Sequence, residues 1–550
     1  MKRKSVTIAV ALALMLVLIA IACTTTSNNP TPGASTPTAP PATTPAAEKV
    51  FRIGTNMNIT TLVPWRSTTD GDYYVLNQIY HKLVEMDFYS VFRPSFAREW
   101  SCADDGKTWT FKLLDGIYWH TGNNLFGEEK VQVTAEDVKF TLEFHMDPDN
   151  GSTRYADLVA TIDTITVIDP LTIEIKTYDI DVLFEYKMYQ ILIIPSKAVE
   201  TGWDFNAHPV GSNAFKFSNH VIDTEVVLVR NDDYYLRPEL DKVIFKIIPD
   251  TSVLAIALEN KEIDVATSVT AEHLDNLAVV PHVILRPSGT GTSRWLGMNP
   301  RHEFFQDRDV RRALAMMLDI DAACGAIFQS STGIKLYERA YAPIPPERLA
   351  GNQSARYKAQ FPEYNPEEGM SILESKGWAL NSDGIFEKDG KTFSFVLQVG
   401  AGNSIVENYA VIVSTMFKAS GIDCTPYTAE WGTHLSDMAA GTLLMWSVGG
   451  YSSLDGPMQI MHSNPNSYTP NPGYSNPDVD ALLEEAWRTI DTEKRGELIA
   501  QAAELYVYDM VFITSFFQYS QIGIGKNVLD FDHPSVYITL VNSWRNVSVE

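Results

Sequence analysis

Cysteine is scarce in this chain of 550 residues: Cys23, Cys102, Cys324 and Cys424 are all there is, and none stands in CxxC spacing. That excludes zinc ribbons and dithiol redox motifs. Apart from Cys23, which belongs to the leader described below, three remain. They allow one disulfide of unspecified pairing or a set of buried free thiols. Positive charge is also short. Lys and Arg number 43 against 68 Asp and Glu, a formal charge of −25, which disfavours nucleic acid as a partner because phosphate is held by basic patches. P-loop, HExxH and GxSxG patterns are missing. Gly289 and Gly291 have no third glycine and no following helix, so they make no dinucleotide fingerprint. The eleven histidines show no metal-ligand spacing. The expectation is therefore no catalytic residue, no metal and no cofactor. Carboxylates are plentiful enough that a secreted hydrolase working through an acid pair stays open as an alternative.

What is present begins at the N-terminus. Lys2, Arg3 and Lys4 precede an apolar run over residues 8–22, somewhat short for a membrane span, which ends on Ile19-Ala20-Ile21-Ala22-Cys23. A charged n-region, an apolar h-region and a small residue before cysteine make a secretory leader. Residues 24–48 are rich in Thr, Pro, Ala and Asn without hydrophobic periodicity, as in a flexible tether. No later stretch looks like a membrane span.

The remaining length is too great for one ordinary domain and implies two or three lobes. Residues 50–54 read as a first strand. Residues 73–84 have helical spacing, with Tyr73, Leu76, Ile79, Tyr80 and Leu83 on one face. Residues 107–113 alternate, placing Trp109, Phe111 and Leu113 together after an Asp104-Asp105-Gly106 turn. Thr134 with Asp137 starts a helix. Residues 163–178, 224–230 and 241–248 read as strands, and residues 309–328, 365–376, 404–420 and 477–508 as helices. The phrase at residues 105–111 recurs at 389–395, as two similar hairpins and not as a duplicated domain. Strands and helices mix without a strict repeat, so the fold class is α/β.

Several phrases in fixed order carry a resemblance. They are Leu83-Val84-Glu85-Met86-Asp87, Pro94-Ser95-Phe96-Ala97-Arg98-Glu99-Trp100, Asp105-Gly106-Lys107-Thr108-Trp109-Thr110-Phe111 and Thr134-Ala135-Glu136-Asp137-Val138. Further on come His208-Pro209-Val210-Gly211-Ser212-Asn213, Arg230-Asn231-Asp232-Asp233-Tyr234-Tyr235 and Asp307-Arg308-Asp309-Val310-Arg311-Arg312-Ala313-Leu314. From about residue 51 to 545 the chain resembles the extracytoplasmic solute-binding proteins of family 5, the oligopeptide-, dipeptide- and nickel-binding type. Its leader is similar to a bacterial lipoprotein signal, which implies lipid on Cys23; the position three before the cysteine, usually Leu, is Ala20.

The resemblance implies a two-lobed periplasmic-binding-protein-like (type II) fold with a hinge and an extra subdomain. One lobe would take 51–85, 206–298 and 511–550, an inserted subdomain 86–205, and the other lobe 299–510, after a signal peptide over 1–22 and a tether over 23–49. It implies a monomer, lipid-anchored outside the cell, that captures a small-molecule or peptide ligand by hinge closure and delivers it to ABC permease subunits. A sugar or metal complex, or service as a sensor or adhesin, is the alternative on the same fold. Candidate ligand contacts are Asn56, Trp65, Trp446, Gly449, Tyr451 and Asp455. The aromatics offer flat apolar walls, and Asn56, Trp446 and Tyr451 lie in Asn/Thr- or Gly/Ser-rich stretches at apparent lobe edges. Tyr74, Trp119, Trp295 and Trp431 are further aromatic candidates, each better explained individually by core packing. In peptide-binding relatives this region holds an aspartate for the peptide's terminal amine. Aligned on Trp446, that place falls near Gly449, and Asp455 would have to substitute or else stand as a turn residue.

Overall fold

Segments of alternating or continuous apolar residues pair into two large sheets. The structure, a computed structural model, describes residues 47–86, 91–287, 292–328, 333, 334, 336–344, 354–401, 403–450, 458, 460–463, 473–519, 521–531, 544 and 546–550. The first sheet has seven strands in the order Val283–Pro287, Gln521–Gly525, Val265–Val269, Val50–Thr55, Lys242–Ile247, Glu225–Arg230, Phe215–Val221. Val50–Thr55 runs parallel to both its neighbours. The second has six, in the order Tyr337–Arg339, Phe512–Gln518, Thr292–Met298, Met445–Gly450, Ser394–Gly400, Asp423–Ala429, and its last three are mutually parallel. A four-stranded antiparallel sheet, Ala97–Cys102, Thr108–Leu113, Thr172–Thr177 and Ile162–Asp169, shares one continuous apolar core with the first sheet. The six-stranded sheet has its own core.

Local chemistry explains the boundaries. The expected helix at 73–84 is Asp70–Ile79: Thr69 caps its start, Tyr80 turns extended, and Val84–Met86 is already a strand. Eight of its residues are buried, so it packs on nearly all sides rather than on one stripe. The expected helix at 309–328 is two, Arg308–Met316 and Ile320–Ile327, because the Asp319 carboxylate caps the second by accepting from Ala322 N. The helix at 477–508 also breaks, into Pro477–Trp487 and Thr492–Asp509, with Asp491 capping the latter. Thr134 and Asp137 form a reciprocal capping box. Both hairpin phrases make turns, Gly106 at φ 68° and the Asp389-Gly390 pair at φ 53° and 75°. Trp109 is only partly buried, whereas Phe111 and Leu113 are fully so. Cys102, Cys324 and Cys424 are free thiols, the last two buried, and burial pushes them up to about 12 and about 11. No described helix is long and apolar enough to cross a membrane.

The chain passes between the two large sheets at two adjacent places. Val283–Pro287 lies in the first sheet and Thr292–Met298 in the second, while Phe512–Gln518 lies in the second and Gln521–Gly525 in the first. The strands on each side of the crossings are neighbours: Val283–Pro287 pairs with Gln521–Gly525, and Thr292–Met298 with Phe512–Gln518. The C-terminal segment returns to the first sheet, where Trp544 packs on Phe51 at 5.6 Å and Phe245 at 5.3 Å and donates its backbone N–H to Gln78 Oε1.

Candidate ligand cleft

The carboxyl ends of parallel strands leave a crevice where ligands commonly bind. In the seven-stranded sheet that edge carries Thr55, Ile247 and Val269, with Gln521 and Pro287 in register beside them. In the six-stranded sheet it carries Gly400, Ala429 and Gly450, with Ser293 opposite Gly450 and Gln518 opposite Thr292. Both crossings start and finish on these edges. From Gln518 to Gln521 an extended chain reaches at most about 11 Å, so the two carboxyl edges meet at the crossings.

Asn56 follows Thr55 directly and is half-buried on the first of these edges. The loop after it is held by Asp72, which accepts from Thr60 N at 2.6 Å, Thr61 N at 3.1 Å and the Ser67 hydroxyl at 3.2 Å. Gly71 lets the helix start approach this loop, since a Cβ there would lie 2.6 Å from Asn58 O. Beside it, Asp70 is half-buried and burial raises its carboxyl to about 6.

The aromatic candidates divide sharply. Trp446 is core, 1 % exposed, edge-on to Phe512 at 6.2 Å and in register with Gly297. It offers no open face, because the ring packs over Gly297 and against Phe512 within the second core. Trp65 is half-buried and meets Phe144 and Phe205 edge-on at 4.8 and 4.9 Å. It lines a shallow recess of about 300 Å³ with Arg66 and Trp203, away from the crossings. Tyr74, Trp119 and Trp295 are buried. Trp431 alone of these is open, 49 % exposed over Gly400 at the carboxyl edge. Asn299 is structural: it donates to Gly441 O and Leu443 O, both at 3.1 Å. Tyr451, Asp455 and Cys23 lie outside the described residues.

Gly449 sits on the edge, paired with Arg294. A Cβ on Gly449 would lie 2.6 Å from Arg294 Cδ and would overlap Arg294 Nη1 and Ser293 O. Arg294 donates from Nε to Gln518 Oε1 at 3.3 Å, and burial lowers its guanidinium to about 10. Sequence reasoning passed over Arg294 and Asp72. The signal for Arg294 was a lone basic residue entering the apolar stretch Trp295-Leu296-Gly297-Met298; for Asp72 it was an acid among the hydroxyl residues Thr60, Thr61 and Ser67.

Comparison with known proteins agrees with this geometry. The family described as bacterial extracellular solute-binding proteins, family 5 Middle, matches residues 91–471. The chain is 26% identical over 511 residues to the oligopeptide-binding protein AppA of Bacillus subtilis, covering 87% of this chain and 88% of that protein. The structure of that AppA in complex with a nonapeptide superposes with a TM-score of 0.70 at 23% identity, covering 92% of this chain and 99% of the other. NikZ from Campylobacter jejuni in complex with Ni(L-His) gives a TM-score of 0.73 at 22% identity, covering 91% of this chain and 100% of the other. The two-lobed type II fold is thereby common ground, and the matched proteins are described as binding proteins.

Proposed function

Because the chain belongs to the bacterial extracellular solute-binding proteins of family 5, we propose that it is the substrate-binding component of an ABC importer, closing two lobes around a peptide and delivering it unaltered to a membrane permease. The observation that carries this reading is the pair of carboxyl edges joined by two adjacent crossings. Rotation about two short neighbouring segments moves one sheet against the other while the main core under each sheet persists, with repacking confined to the patch where Leu336 joins Leu254, Leu258 and Leu274, and a solute touching both edges favours the closed state. The lobe limits this reading takes are the crossings themselves, so the strands Thr292–Met298 and Phe512–Gln518 go with the second lobe, and the tail around Trp544 with the first. The protein acts as a monomer outside the cell, held to the membrane by lipid on Cys23 through the 24–48 tether, which raises its concentration near the permease.

Native mass spectrometry of protein purified from its host tests the reading. A ladder of co-purified peptides, recovered intact, is the expected result. A bound solute that is not a peptide would refute the peptide assignment, and one that emerges cleaved would refute the binding role.

A further inference from the structure

We propose that the second lobe's edge of the cleft holds a site for a carboxylate of the solute, with Arg294 as its donor and Gly449 as the clearance that Arg294 requires. This deepens the binding role just proposed and rests on it.

Arg294 differs from Arg311, Arg339 and Arg495 in having almost nothing to neutralise or satisfy it; Arg154, also half-buried, donates only to the Tyr73 hydroxyl but has the Asp157 carboxylate near it. Arg311 donates to Asp509 O, Phe305 O and Gln306 O. Arg339 donates to Thr514 O and Ser515 O and lies over the Tyr341 ring. Arg495 donates to two carbonyls, those of Thr489 and Ile490. A guanidinium has five N–H donors. Arg294 uses one, toward the neutral amide oxygen of Gln518, and among the described residues no carboxylate pairs with it. Burial is the sole influence on its acidity, and at about 10 it remains a cation at neutral pH. Protein crowds the group, yet its side chain is only half-buried. That combination describes a charge on the wall of a crevice.

Two further features place it. Arg294 stands at the start of the strand that leaves one crossing, and Gln518 at the end of the strand that enters the other. The guanidinium therefore lies at the cleft margin of the second lobe. Gly449 lies beneath it: any side chain there would displace Nη1 and press on Ser293 O, so glycine and arginine at these positions are linked. A desolvated cation without a counter-charge is costly, and its remaining donors form a planar fork that fits a carboxylate through two parallel hydrogen bonds. The carboxylate can be a peptide's C-terminus or an acidic side chain.

The test uses the mature protein and two probes: a tryptic digest of casein, and synthetic peptides made from its retained members with the C-terminus amidated or each Glu replaced by Gln. Retention is read by native mass spectrometry, and apo stability by urea denaturation. Wild type is expected to retain peptides, with amidation or the Glu replacement lowering affinity at least tenfold and thereby identifying which carboxylate is held. Arg294→Met should lower affinity at least tenfold, while its apo form is as stable as wild type or more so, because an unmatched charge has been removed. Retention by Arg294→Met equal to wild type, or an apo protein clearly less stable, would overturn the proposal while leaving the binding role intact. Wild type that retains no peptide from the digest would count against the peptide reading itself and this site with it.

Discussion

Replacing Gly297 by alanine tests the position of Trp446 directly. Gly297 lies mid-strand and faces the Trp446 indole, and a Cβ there would sit 2.5 Å from Cζ2 of that ring and 2.7 Å from Phe512 Cε1. Both neighbours are buried aromatic rings with little room to retreat. Restricting the unfolded chain by Gly→Ala contributes about 0.4–1 kcal/mol of stability, whereas overpacking a filled core costs about 1–3 kcal/mol. The overlap wins, and Gly297→Ala is expected to be about 1–2 kcal/mol less stable. Trp446→Phe in the same chain removes part of the indole, so the double variant should recover a share of the loss, with a coupling of at least about 0.5 kcal/mol. Urea denaturation followed by far-UV circular dichroism supplies the numbers. Additive effects, or a Gly297→Ala protein as stable as wild type, would mean that Trp446 does not lie over Gly297 and is free to face the cleft.

Other consequences follow from the same structure. Asp70 has a folded value of about 6, above its ordinary 3.8, so the native state holds this proton more tightly than the unfolded chain. Its contribution is full below pH about 4 and lost as pH rises through 6; Asp70→Asn should remove that slope and gain on the order of 2 kcal/mol at pH 7, and identical pH profiles for the two proteins would refute this. Asp72→Ala strands the donors Thr60 N and Thr61 N; a loss of about 3 kcal/mol and faster proteolysis within residues 57–69 are expected, against unchanged cleavage if the loop is held otherwise. Trp544→Ala opens a void beside Phe51 and Phe245 and should cost about 3–5 kcal/mol; a smaller loss than about 1 kcal/mol would show that the tail is not part of this core.

Signals confined to a few residues were legible in the sequence. The Asp105-Gly106 turn, the Thr134–Asp137 box and the strand Val50–Thr55 needed only neighbours along the chain. Helix ends were harder. Periodicity runs on through residues 317–319, and only the Asp319 side chain, competing for Ala322 N, decides that one helix stops and another begins. The cleft depended on partners far apart in sequence. Gly449 looked like part of a Gly/Ser loop, yet it closes a strand against Arg294, 155 positions earlier by residue number. Trp446 looked exposed for the same reason, and packing over Gly297 and against Phe512 put it inside. Asn56 drew attention through its Asn/Thr-rich stretch just after the strand Val50–Thr55, which is local information, while the meaning of Arg294 emerges only when the buried guanidinium groups are traced to their acceptors.

The central claim is a pair of lobes that swing together on a solute. Small-angle scattering measures this most directly, comparing the mature protein stripped of solute with the same protein given the solute that co-purifies from its host. Closure gives a smaller radius of gyration with solute present, reversing when it is removed. An unchanged radius at saturating solute would contradict it.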